Sequence, residues 1–351
     1  MPTYFSEGTL ASTEMLCRWF IFVCALLGCF GAALRAQDTF YAQGKAAYDA
    51  KQWEDAISWM SKAEAASPGQ TDALLFESKA LLNLKRLPEA DRTIARYVAQ
   101  HPDSPDGLYT LGHLQQYENK PRESLATLTR AAQLRTPDDE ELRIVANDYV
   151  LLDDYPDAIR WLERAVQINP NNADVWYALG RCYYTQSSFK NAEQAFLKTL
   201  ALNSKNEKAT ENLGLTYKAE NRPTDAEQSF RTAISLADSN PQSDEWPFLN
   251  YGEFLIDQGR ATEAMTQLER ALAKNPKCAA CHEKLGRALS ANGDFKQGVT
   301  QLEAAVSLQP NDAHLHYELG LAYRQAGMPE RAQQELALSK KLYGTKQAGP
   351  K

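Results

Sequence analysis

Residues 176–183 read Trp-Tyr-Ala-Leu-Gly-Arg-Cys-Tyr; Ala192 follows twelve places after Gly180, and Phe196 four places after that. Apolar side chains at Trp176, Leu179 and Tyr183 recur with helical spacing, so the segment reads as an amphipathic helix. Phe196 belongs to a second helix that closes the same seam. Gly180 and Ala192 are then the places where the two helices cross, because only a minimal side chain lets two backbones come that close.

The pattern recurs along the chain. Gly44, Gly112, Gly180, Gly214, Gly252, Gly286 and Gly320 stand in register, with Ser78 and Ala146 in the two gaps. Each step is 34 residues except the 38 between Gly214 and Gly252. Twelve places after each comes a second small residue, from Ala56 to Ala332, and four further a large apolar one, from Met60 to Leu336. A fixed period of this length marks stacked units, none of which can bury its apolar face alone. Many copies close with proline (Pro68, Pro102, Pro170, Pro276, Pro310), and Asn172 is placed to cap the helix that follows. Asn221, Gly259, Asn292-Gly293 and Gly327 supply helix stops between paired helices. The residues 237–244 hold the four-residue insertion, assigned to 241–244, which reads as a lengthened turn or mild hinge.

The motif W-x2-L-G-x2-Y, then A-x3-F, resembles the tetratricopeptide repeat, and the resemblance covers about residues 37–344 in nine copies. It implies an all-α fold, a right-handed superhelical solenoid of helix-turn-helix units. It also implies a protein or peptide ligand held along a concave face lined by the first helix of each unit. The non-core places on those helices include Tyr109, Arg143, Asn147, Tyr177, Arg181, Tyr184, Lys218, Arg287, Tyr317 and Arg324. Four arginines in a chain of net charge −7 point to an acidic ligand. The set does not reproduce the Lys/Asn clamp by which cytosolic members of the family hold chaperone tails.

Composition and motifs narrow the function further. No run of Lys or Arg suggests a nucleic-acid groove, and the acidic balance argues against one. Paired acids such as Asp153-Asp154 and those at 138–141 fall at turns and helix starts, where the helix dipole favours them. No phosphate loop or nucleophile–base arrangement stands out, so no enzyme is expected.

Residues 19–34, WFIFVCALLGCFGAAL, form an uninterrupted apolar run. It suits the core of an export signal with small residues at its end, so residues 1–36 read as a signal peptide and the chain as periplasmic or secreted. An uncleaved membrane anchor and, from Leu26-Leu27-Gly28-Cys29, a lipoprotein signal are the alternatives, and Met15 is a second candidate start. At the other end, 345–351 reads as a polar tail.

Three of the six cysteines lie in that apolar leader, leaving Cys182, Cys278 and Cys281, too few for a disulfide scaffold. Cys278, Cys281 and His282 spell C-x-x-C-H, the attachment signature of c-type haem. In register, however, Cys281 lies over Val175 and His282 over Trp176, and His316 takes the same place one copy later. The first reading is packing cysteines or a local disulfide, with no cofactor; residues three apart on a helix are within reach of such a bond. The second is a c-type haem or thiol redox protein using Cys278, Cys281 and His282.

Overall fold

The computed structural model describes residues 39–69 and 72–347. The apolar leader and the last four residues of the polar tail lie outside them. Eighteen helices occur among the described residues, arranged as nine consecutive pairs without a strand. They are α1 (39–49) with α2 (Trp53–Ala66), α3 (Ala73–Asn83) with α4 (Leu87–Gln100), α5 (Pro105–Tyr117) with α6 (Pro121–Leu134), and α7 (Asp139–Leu151) with α8 (Tyr155–Ile168). Then come α9 (Ala173–Thr185) with α10 (Phe189–Leu202), α11 (Glu207–Ala219) with α12 (Pro223–Asp238), and α13 (Trp246–Asp257) with α14 (Ala261–Lys274). The last are α15 (Ala279–Ala291) with α16 (Phe295–Leu308) and α17 (Ala313–Gln325) with α18 (Pro329–Gln347). The chain divides into two compact units, four pairs ending at Ile168 and five pairs beginning at Asn169. No helix among the described residues is long and apolar enough to cross a membrane.

Each pair is organised by its crossing point. A Cβ on Gly180 would stand 2.6 Å from the Phe196 ring, and one on Gly112 the same distance from Leu128. The small partner on the second helix is as tightly placed: Ala56, Ala158, Ala192, Ala226 and Ala264 are fully buried. Where that partner is Ser124, its hydroxyl donates to the Gly112 carbonyl at 2.8 Å, so its polar group is satisfied inside the crossing. The expected seam of the fifth pair is only partly sealed. Leu179 and Phe196 are buried, but Trp176 and Tyr183 are half-exposed.

The turn inside every pair is the same Schellman closure. The amide three places past the last helical residue donates to a carbonyl five residues earlier, as in Arg86 to Leu81 at 2.9 Å and Met328 to Tyr323 at 2.8 Å. This closure demands one left-handed residue. Gly259, Gly293 and Gly327 supply it without cost, and Asn221 at little. Sequence reasoning missed the other five: Lys51, Lys85, Asn119, Asp153 and Ser187 hold the same positive φ. The turn between α12 and α13, which holds the insertion, is bonded to the pairs on both sides. Ser243 donates to Glu207 at 2.6 Å, and Asn275 donates to Glu245 at 2.7 Å. At the C-terminus α18 runs to Gln347, three residues into the polar tail.

Two substitutions test this account by denaturant titration. Gly180→Ala should cost about 1–3 kcal/mol, since the Phe196 ring has to move. Lys85→Gly should raise stability by up to about 1 kcal/mol, by relieving a left-handed lysine.

Candidate functional site

The first helices of the pairs present one face in each unit, and the expected ligand contacts divide sharply upon it. In the first unit Tyr109 is only 4% exposed; its hydroxyl donates to the Arg135 carbonyl at 2.8 Å and its ring lies 4.7 Å beneath the Arg135 guanidinium. Tyr109 is therefore chiefly a packing residue. Arg143 donates to Glu140 through Nε at 3.0 Å and through a terminal nitrogen at 2.6 Å. Asn147 is half-buried beside it. Tyr48, Lys79, Tyr109, His113, Tyr117 and Glu140 help to line a cleft of about 270 Å³ in this unit. The His113 ring stacks on Tyr117 at 4.7 Å. Burial, reinforced by the Arg143 charge, pushes its pKa down to about 4, so the imidazole is neutral at neutral pH.

In the second unit the face carries a ladder of alternating charge. Lys218 pairs with Asp257 at 2.7 Å and approaches Glu253 at 3.9 Å; Lys284 lies 3.5 Å from Glu253 and 3.3 Å from Glu283. Glu283, only 7% exposed, is also 3.9 Å from Arg287 and 3.5 Å from His314. Lys218 and Arg287 are thus already engaged by carboxylates of their own face. Arg181 and Arg324 are exposed and make no ion pair among the described residues. Arg181 lies 6.0 Å from the ring of half-buried Tyr177, Tyr184 meets Phe189 edge-on at 5.7 Å, and Tyr317 is exposed. The face thus brings Tyr177 and Arg181 into contact; Tyr317 and Arg324 belong to the last pair. Of the carboxylates, Glu283 stands among the non-core places that the register marks, whereas Glu211, Glu253 and Asp257 were missed, yet the register held the signal. Counting on from Tyr177 by one repeat reaches Glu211, and from Arg181 by two reaches Glu253.

Glu211 is the most perturbed of them. Burial, aided by the charges of Asp244 and Glu207, pushes its pKa up to about 7, although Asn250 donates to it. Asp148, wholly buried, is pushed up to about 6 by the same desolvation, and its Oδ2 has no hydrogen-bond partner. Cys182 is buried, and desolvation raises its thiol to about 11, which makes it unreactive.

The C-x-x-C-H segment has a structural assignment. Cys278 and Cys281 are bonded to each other, with Cα atoms 5.2 Å apart. Both nitrogens of His282 are engaged, Nδ1 with Gln301 at 2.7 Å and Nε2 with the Pro276 carbonyl at 3.2 Å. His316 bonds the Pro310 carbonyl in the same way at 2.9 Å, and the Trp176 ring N–H donates to the Pro170 carbonyl at 2.9 Å. His282 therefore does the work of the motif tryptophan, tying the helix to the proline before it. The haem alternative is corrected on this geometry: its sulfurs are joined to each other, and its histidine ligand is bonded on both sides.

Comparison with known families agrees with this register. Models described as TPR repeat or tetratricopeptide repeat match residues 47–114, 146–187, 173–206, 217–288 and 283–340. The chain is a tetratricopeptide repeat protein. Curated proteins show no match to this repeat protein. Among solved structures it is similar to a tetratricopeptide repeat protein from Parabacteroides merdae, with 21% identity over 72% of this chain and 98% of that one, at a TM-score of 0.56. A chain of the APC/C hetero-tetramer Cut9–Hcn1 gives 16% identity and a TM-score of 0.56 over 82% of this chain. The repeat protein spans only 56% of that chain. PilW, a type IV pilus biogenesis factor, gives 20% identity over 57% of this chain and 90% of its own, with a TM-score of 0.53. At these identities the likeness is one of fold.

A raised carboxylate pKa means that the folded state binds its proton more tightly than the unfolded chain does. The associated stability is present at low pH and lost as pH rises through the folded pKa. Glu211→Gln should therefore stabilise the protein by about 2–3 kcal/mol at pH 8 and leave it nearly unchanged at pH 4, measured by urea titration at both values.

Proposed function

We propose that this is an exported, non-enzymatic scaffold that binds a protein or peptide along the face formed by its first helices, the face that the repeat family makes concave. The carrying observation is the contrast between neutralised and free cations on the second unit's face. Lys218 and Arg287 sit in ion pairs, whereas exposed Arg181 stands beside Tyr177 with no carboxylate partner among the described residues. A ligand carboxylate meeting Arg287 would have to replace a partner already in place, an exchange with little net gain. Meeting Arg181, it adds a pair, and Tyr177 offers a ring beside it; arginine and tyrosine are residues that carry interface energy. The reading is a peptide with an acidic residue seated at Arg181, with Arg324 as a second such place.

Two observations support export. The apolar stretch 19–34 suits a signal core, and the Cys278–Cys281 disulfide suits an oxidising compartment. The same fold serves a chain of a hetero-tetramer and a pilus biogenesis factor, both assembly settings. In this reading the membrane is touched only through the N-terminal segment, and only if that segment is not cleaved, and nucleic acid is not a partner.

The test is selection of peptides from a random display library on the full chain. Selected peptides should be enriched in Asp and Glu and lose at least about tenfold in affinity to Arg181→Glu, with Arg287→Glu weakening them less. Peptides that bind Arg181→Glu as well as the parent would remove the assignment of this face.

A further inference from the structure

The residue before the first helix has a shared role in the third to sixth, eighth and ninth pairs. Ser104, Asp138, Asn172, Asn206 and Asp312 each accept, through a side-chain oxygen, the amide three places on: Gly107 at 3.2 Å, Glu141 at 2.8 Å, Val175 at 3.2 Å, Ala209 at 2.9 Å and Leu315 at 3.4 Å. Asp244, in register before α13, accepts from Trp246 at 3.2 Å. Cys278 occupies this place before α15, and its Sγ accepts the Cys281 amide at 3.1 Å. In the fourth pair the two residues of this relation form a reciprocal box, Glu141 Oε2 accepting the Asp138 amide at 2.9 Å. Cys278 and Cys281 stand at the same two places, joined covalently.

We propose that the Cys278–Cys281 bond is a thiol–disulfide exchange site built as a covalent capping box, whose oxidation state sets the order of the first turns of α15. Sulfur is a weak hydrogen-bond acceptor, so Cys278 alone is a poor substitute for Asn or Asp. The bond makes up the difference by fixing the cap residue to the third residue of the helix. In the reducing direction a dithiol supplies a thiolate that attacks Sγ of Cys278, the less buried of the two residues at 8% exposure against 0% for Cys281. The protein S–S bond breaks, the Cys281 thiolate departs and takes a proton, and the second thiol of the reductant releases Cys278. Two electrons and two protons pass to the protein, and the reductant leaves as a disulfide.

The position gives exchange a consequence. Glu283, Lys284 and Arg287 follow within the next turns of α15 and form the centre of the charge ladder. Loosening the start of α15 loosens that part of the face, whether or not the face holds a ligand, so the inference stands apart from the proposed binding.

Hydrogen exchange on the full chain, before and after treatment with dithiothreitol under native conditions, tests it. The two-hydrogen mass gain confirms reduction, and the first turns of α17, capped by Asp312, serve as internal reference. Reduction should lower amide protection over 281–284 by at least about tenfold and leave α17 unchanged. Cys278→Asp combined with Cys281→Val copies the caps of neighbouring pairs, and its protection should be high and indifferent to dithiothreitol. Three results would overturn the proposal: a disulfide that the folded protein never yields to dithiothreitol, unchanged protection after confirmed reduction, or an equal loss of protection in the Asp/Val variant.

Discussion

The fold rests on how closely two helices can approach at one point in each pair. The large side chain of the second helix, such as Phe196 or Leu128, lies where a Cβ on the first helix would stand. Packing at that density tolerates no extra methyl group without movement. The small residues therefore recur with the period of the chain, and everything else is hung from them. Close crossing leaves each pair with apolar surface on both sides, and the only way to bury it is to stack the next pair. The repeat is in this sense a consequence of the crossing.

That constraint is why the architecture was legible. Gly180, Ala192 and Phe196 form a triplet of two small residues and one large apolar one, and such a triplet in register nine times is hard to mistake. The turn was less legible. Its left-handed residue is imposed by the Schellman hydrogen bonds on each side, which hold Lys51, Lys85 and Ser187 in a conformation their side chains do not favour. Local propensity signals only the copies where Gly or Asn removes the strain, and of these Asn119 was passed over. Where packing already dictates the geometry, the chain tolerates an unfavourable residue and leaves no signature.

The face of the first helices shows a different limit. Choosing arginines and tyrosines by register treated each cation as available. Availability depends on residues 31–39 positions away: Lys218 is satisfied by Glu253 and Asp257 of the next first helix, and Lys284 by Glu253 of the one before. These partners come together only once the stacking is known. The same stacking buries Glu211 and raises its pKa, because the desolvation of a carboxylate belongs to its neighbours and not to its own sequence.

The C-x-x-C-H segment joins these two lessons. As a string it spells a cofactor site; in register it spells the start of a repeat helix. A helix start needs an acceptor for its free amides and an anchor to the incoming chain. Asn172 and Trp176 meet both needs in the fifth pair, through a side-chain oxygen and a ring N–H aimed at the Pro170 carbonyl. Cys278 and His282 meet the same needs with sulfur and imidazole, at the same spacing of four residues. The haem signature and the helix start share that spacing because both place two groups on one turn of helix. What separates them is whether the groups have free valences, and here the sulfurs are joined to each other and the imidazole is bonded through both nitrogens.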